Sequence, residues 1–219
     1  MRASRRRRWW LGGIGLGAIA LVTVRYATQR VSWEQPPPPR STRIHAAPLC
    51  PWRDPQADLA ATFPQADHWE PETRILSGLR LELARRLGRP VQPDESALRL
   101  YRVSAGPAPL GVVMIRRVRG DYGAIEVVVA VDASGKVRAV RLQRLREPEA
   151  VMKPLRETEW LGAFRGKSVH DSFHVGGDLP AVPPSARVTA GAIAEGVRSL
   201  LILLDIGTSP RALAATHHH

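Results

Sequence analysis

Residues 124–131, AIEVVVAV, are apolar at every position but Glu126 and mostly β-branched. Bounded by turn residues, such a run reads as a central strand of a sheet, covered on both faces. Gly-Asp-Tyr-Gly precedes it at 120–123, and Asp-Ala-Ser-Gly follows at 132–135. The second turn leads into 136–145, where apolar and basic residues partly alternate, so a hairpin is expected. Glu147-Pro148 then breaks the pattern. Upstream, 97–103 and 110–118 read as two further strands. Ile75, Leu76, Leu79, Leu83 and Leu87 recur at helical spacing, and Gly88 with Pro90 supplies the stop. Downstream, a short helix is expected over 157–164, a Gly/Pro-rich loop over 176–184, and a long apolar helix over 189–205 before Gly207. The fold class is therefore α+β: one domain with a twisted β-sheet flanked by helices.

The N-terminus makes a different demand. Residues 9–24, WWLGGIGLGAIALVTV, carry no charge and follow Arg5, Arg6, Arg7 and Arg8. A spanning helix needs about 20 apolar residues, and Tyr26 and Ala27, with Arg25 snorkelling, bring the stretch into range. The core is long for a signal peptide and no clean Ala-x-Ala site follows, so an uncleaved anchor is expected. Clustered arginines keep the N-terminus in the cytoplasm and place everything after the anchor outside it. Residues 1–8 are then a basic cytoplasmic tail, 9–27 a transmembrane anchor, 28–58 a Pro-rich linker, 59–207 the domain and 208–219 a tail. Pro36, Pro37, Pro38 and Pro39 favour stiff polyproline II, which holds the domain off the bilayer. An alkaline phosphatase fused after Pro39 should be active, and the chain should survive a carbonate wash of the membrane. An inactive fusion would reverse the orientation, and release by carbonate would mean cleavage.

The net charge of +12 invites a nucleic-acid reading, which the pattern does not support. Of 32 basic residues only Lys136, Lys153 and Lys167 are lysine. Apart from the arginine run, the cations are scattered among acids, with no aromatic-interleaved patch. Cys50 is the single cysteine, which leaves no disulfide within the chain and no zinc, haem or iron–sulfur spacing. His170 and His174 stand four apart in HDSFH, but Asp171, Ser172 and the glycines that follow argue against the helix that would align them, and no third ligand stands out. No metal site and no catalytic motif is expected.

The order of segments resembles the FMN-binding domain family, which includes the flavin-carrying, membrane-anchored subunits of the Rnf and sodium-pumping NADH:quinone reductase complexes. The resemblance spans 63–204 and is best over 120–147, where Gly-x-x-Gly, strand, turn, strand and acidic-Pro follow one another. Phe63-Pro64-Gln65-Ala66 and Phe164-Arg165-Gly166-Lys167 are similar to family connectors. It implies FMN carried as a phosphoester on the threonine of Ser-Gly-Ala-Thr at the start of a helix, with other subunits of a membrane redox complex as partners. Here the corresponding stretch is PPSARVTAGAIAEGV, 183–197. One register puts Val188 at the acceptor position and the other Arg187, and neither has a hydroxyl to esterify. Glu147-Pro148 also lacks the family's intervening threonine.

By that resemblance Gly120, Tyr122, Gly123, Glu147, Ser185, Arg187 and Thr189 are the candidate cofactor-binding residues. The glycines also suit a plain turn, Tyr122 plain packing, and Ser185 and Thr189 helix caps. Arg187, a guanidinium at a helix start, suits a phosphate held as an ion pair. Two functions follow: an electron-transfer subunit with non-covalent FMN, or a structural subunit that keeps the fold and has lost the flavin.

Overall fold

The computed structural model describes residues 56–209. The expected anchor, most of the linker, Cys50 and the terminal histidines lie outside them. Among the described residues no helix is long and apolar enough to cross a membrane.

The domain is α+β around a five-stranded antiparallel sheet whose strands lie in chain order. A short helix α1 (Gln56–Thr62) leads into β1 (His68–Ile75), and a 3-10 turn (Ser77–Leu79) into α2 (Arg80–Leu87). A second 3-10 turn (Pro93–Ser96) opens the meander β2 (Ala97–Ala105), β3 (Ala108–Arg119), β4 (Ala124–Asp132) and β5 (Val137–Leu145). Then come α3 (Glu149–Arg156), α4 (Thr158–Gly162), a 3-10 turn (Pro184–Ala186) and the long helix α5 (Arg187–Thr208).

β2 to β5 and α5 stand where apolar patterning predicts them. Four elements differ from expectation. The helical spacing from Ile75 is split: Ile75 ends β1, and the α-helix begins only at Arg80. β1 itself, HWEPETRI, has no apolar alternation and carries Pro71, which a strand tolerates at the edge of a sheet. Helix α3 contains Pro154, a residue that reads locally as a stop, and α4 covers only the middle of 157–164. Gly88 ends α2 in the left-handed region at φ 73°, as a helix stop requires.

β4 explains its own composition, because it is buried on both faces. Ile125, Val127, Val129 and Val131 point into the main core with Leu98, Leu100, Met114 and α5's Ile193 and Val197. Val128 and Ala130 point the other way, into a smaller core closed by Leu59 and Phe63. Helix α5 packs closely on β3: a Cβ at Gly196 would lie 2.5 Å from Val118 Cγ1. Arg74 ties the first strand to the last helical turn, its Nη1 donating to the Gly207 carbonyl at 2.5 Å.

Candidate functional site

Five of the seven candidate residues meet at one end of the sheet. Residues 120–123 link β3 to β4, and the Gly120 N–H donates to the Gly123 carbonyl at 2.8 Å. Two side chains from distant parts of the chain hold this turn. Thr189 Oγ1 accepts the Asp121 N–H at 3.1 Å, and the Glu147 carboxylate accepts the Tyr122 N–H at 3.1 and 3.2 Å. Glu147 is buried although it follows β5 in a loop, and Thr189 is wholly buried on α5. Gly120 makes room for the carboxylate: a Cβ there would lie 2.1 Å from Glu147 Oε1. A Cβ at Gly123 would come within 3.3 Å of Arg146. The glycines therefore serve close approach of the β5 loop to the turn.

Ser185 and Arg187 are not drawn in. Both are exposed, and among the described residues neither has a hydrogen bond to the turn. The N-cap of α5 is Ala186, with no side-chain cap, so Thr189 sits inside the first turn of the helix and is no cap. Val188 and Tyr122 are the large hydrophobic groups exposed here, at 60% and 65%.

A phosphoester-linked FMN does not fit these residues. Arg187 and Val188 offer no hydroxyl. Thr189 has one, but it is buried and already accepts the Asp121 N–H. Freeing it would expose a helix interior and strip the turn of a bond, so no step through such a linkage is derived.

Beside the clasp lies a feature that local patterning did not announce. Pairing of β2 with β3 stops at Leu100 opposite Met114. Before that point β2 is paired only with β1, and beyond it β3 only with β4. The sheet therefore opens into a cleft of 1190 Å³, floored by α5 at Ala192 and Gly196 and ending at Tyr122. A buried ion network forms one wall. Glu95 accepts Arg89 Nη2 and Arg116 Nη2, both at 2.7 Å, and the Gln92 N–H at 2.8 Å. Arg116 Nη1 also donates to Ser199 Oγ on α5 at 2.7 Å. Burial pushes the Glu95 carboxyl up, but the bonds from Arg89, Gln92 and Arg116 outweigh it and hold the pKa at about 2. The short segment Pro-Asp-Glu-Ser reads as a surface turn, so only the distant arginines make Glu95 a core residue.

His170 and His174 are exposed in the loop after α4. His170 lines a second cavity of 630 Å³ with His68, Asp132 and Asp205. Among the described residues no three His, Cys, Asp or Glu side chains gather as a metal site.

No family model matches the chain, and no curated protein matches it. The crystal structure of Shewanella oneidensis NqrC is similar at a TM-score of 0.45 and 15% identity, over 68% of this chain and 88% of that one.

Proposed function

We propose that the chain is a membrane-anchored, extracytoplasmic subunit of a membrane electron-transfer complex, built on an FMN-binding-like domain that has lost covalent flavin. One observation carries the reading. The three pieces that the resemblance takes from separate parts of the sequence, the 120–123 turn, Glu147 and the start of the last helix, converge on one point. Support for the anchor is the uncharged stretch at 9–24 behind its arginines.

The same point favours the structural role over the carrier role. Glu147 and Thr189, the side chains best suited to face a cofactor there, are each turned to a backbone N–H of the turn. Their bonds rigidify the junction between sheet and helix. In this reading the domain contributes shape and attachment to its complex, and any FMN it meets is held non-covalently and weakly. When bound in such complexes, FMN supplies electron transfer, and the protein's part is to orient it.

The test is a denaturing gel of the full chain co-expressed with a flavin transferase. No fluorescence is expected at the protein's mass. Covalent flavin there would overturn the reading, whichever residue carries it. Restoring Ser-Gly-Ala-Thr over 185–188 is expected to bring fluorescence back, which would also fix the register.

A further inference from the structure

We propose that the gap between β2 and β3 receives an extended segment of a partner subunit, added as a strand, with acidic and apolar residues alternating. The proposal rests on the structural reading above, since it names how such a subunit would be held.

The first support is the sheet itself. Residues 116–119 of β3 are paired through one edge with β4, from Arg116 opposite Val127 to Arg119 opposite Ala124. Their other edge faces the cleft, and so does that of Ala97 and Leu98, which pair with Ile75 and Arg74 of β1. A strand edge is a row of backbone donors and acceptors, a template for another chain. Four residues of β3 give about 13 Å of edge, enough for four residues of an incoming strand.

The second support is the chemistry on the two sides of the gap. Side chains alternate along a strand. Val118 faces α5 and packs on Gly196, so Arg117 and Arg119 face the opposite way, where Arg117 is already paired with Glu126 at 3.1 Å. Leu98 faces the main core, so Arg99 on β2 shares the arginines' side. Arg99 and Arg119 are exposed at the rim of the cleft. The α5 side offers Ala192, Gly196, Leu200 and Leu203, small or apolar, with Glu195 at the edge and Ser199 occupied by Arg116. A strand laid in the gap therefore meets the exposed guanidinium groups of Arg99 and Arg119 on one face, and on the other the small and apolar residues of α5 beside the Arg116–Ser199 bond. The matching partner is acidic on one face and apolar on the other. Small anions would pair with Arg99 and Arg119 but would leave the strand edges unused.

The probe is a nine-residue alternating Glu–Val peptide, titrated into the full-length chain purified in detergent. It is expected to bind and to slow amide exchange at 116–119. The Arg99→Glu/Arg119→Glu double variant should weaken binding at least tenfold and turn preference towards a Lys–Val peptide. Its melting temperature should match the parent's, since both residues are exposed. A Glu–Pro peptide keeps the charge but lacks the backbone donors, and it should not bind. No binding of the Glu–Val peptide, equal binding of the Glu–Pro peptide, or protection elsewhere in the chain would each overturn the proposal. Displacement of the peptide by micromolar FMN would overturn it too, by making the cleft a flavin site. A covalent flavin band refutes the functional reading whatever the peptide does. Absence of peptide binding with no flavin band refutes only the gap.

Discussion

Glu95→Ala is expected to lower the stability of the domain by about 3–5 kcal/mol, the usual cost of removing one partner from a buried ion pair. For a domain of this size that lowers Tm by roughly 10–15 °C. The loss is large because the carboxylate is fully buried and serves two guanidinium groups at once. Arg116 is itself only 10% exposed, and without Glu95 it keeps Ser199 and a longer approach to Asp94 at 3.7 Å. A positive charge would then sit in the wall of the cleft without its closest carboxylate.

The same group gives stability a pH dependence whose sign is fixed. Its pKa is about 2 in the folded domain against an ordinary 4.5. A depressed carboxyl stabilises the fold at pH values above 4.5, and that contribution is lost as pH falls from 4.5 through 2. Its size is about 3 kcal/mol. Glu95→Gln keeps the shape and removes the titration, so its Tm should fall less than the parent's between pH 4.5 and 2. Glu72 and Asp132, also held low, titrate in both proteins and leave a residual slope. Parallel Tm curves for the two would show that the network contributes nothing through Glu95.

The second large effect is expected at the clasp. In Gly120→Ala the new methyl meets Glu147 Oε1 at 2.1 Å and Ile125 Cδ1 at 2.8 Å. Either the carboxylate swings away and abandons the Tyr122 N–H, or the turn shifts and loses Thr189. Each route costs a buried hydrogen bond as well as packing, about 2–4 kcal/mol in total. Glu147→Ala alone should cost about 1–3 kcal/mol, through the stranded N–H. With Glu147 already removed, Gly120→Ala meets far less resistance and should add under about 1 kcal/mol. Urea titration of the four proteins closes the cycle. Strict additivity would mean that the glycine does not exist for the glutamate.

Legibility in the sequence followed the range over which each cause acts. β4 and α5 were readable because burial on every side leaves a local imprint, AIEVVVAV in one and an apolar helical run in the other. β1 left none. It is held by pairing with β2 along one edge and carries Glu70, Pro71 and Glu72 without alternation. Helix α3 was hidden by Pro154. At the site, the glycines of 120–123 and Glu147 were singled out by order along the chain. What each touches depends on residues 25 to 68 positions away. Thr189 was the instructive case: a capping residue type next to a helix start, yet placed inside the first turn with its hydroxyl turned to the β3–β4 link. The cleft had no sequence mark, since it arises where two strands part.

Strands laid across a sheet in chain order have a consequence for biogenesis. As the polypeptide emerges N-terminus first, every strand after the first finds a partner already made, so the sheet can assemble strand by strand onto what precedes it. The helix that covers it is made last. A nascent chain halted before residue 187 carries a finished sheet with Leu98, Leu100, Met114, Val127 and Val129 bare on one side, an adhesive surface for other chains. Only the final turn of α5 brings the Gly207 carbonyl to Arg74 and locks the first strand in place. Completion of the domain is thus checked at its own C-terminus, and a premature stop a few residues short of it should leave a chain prone to aggregate rather than a slightly shortened protein.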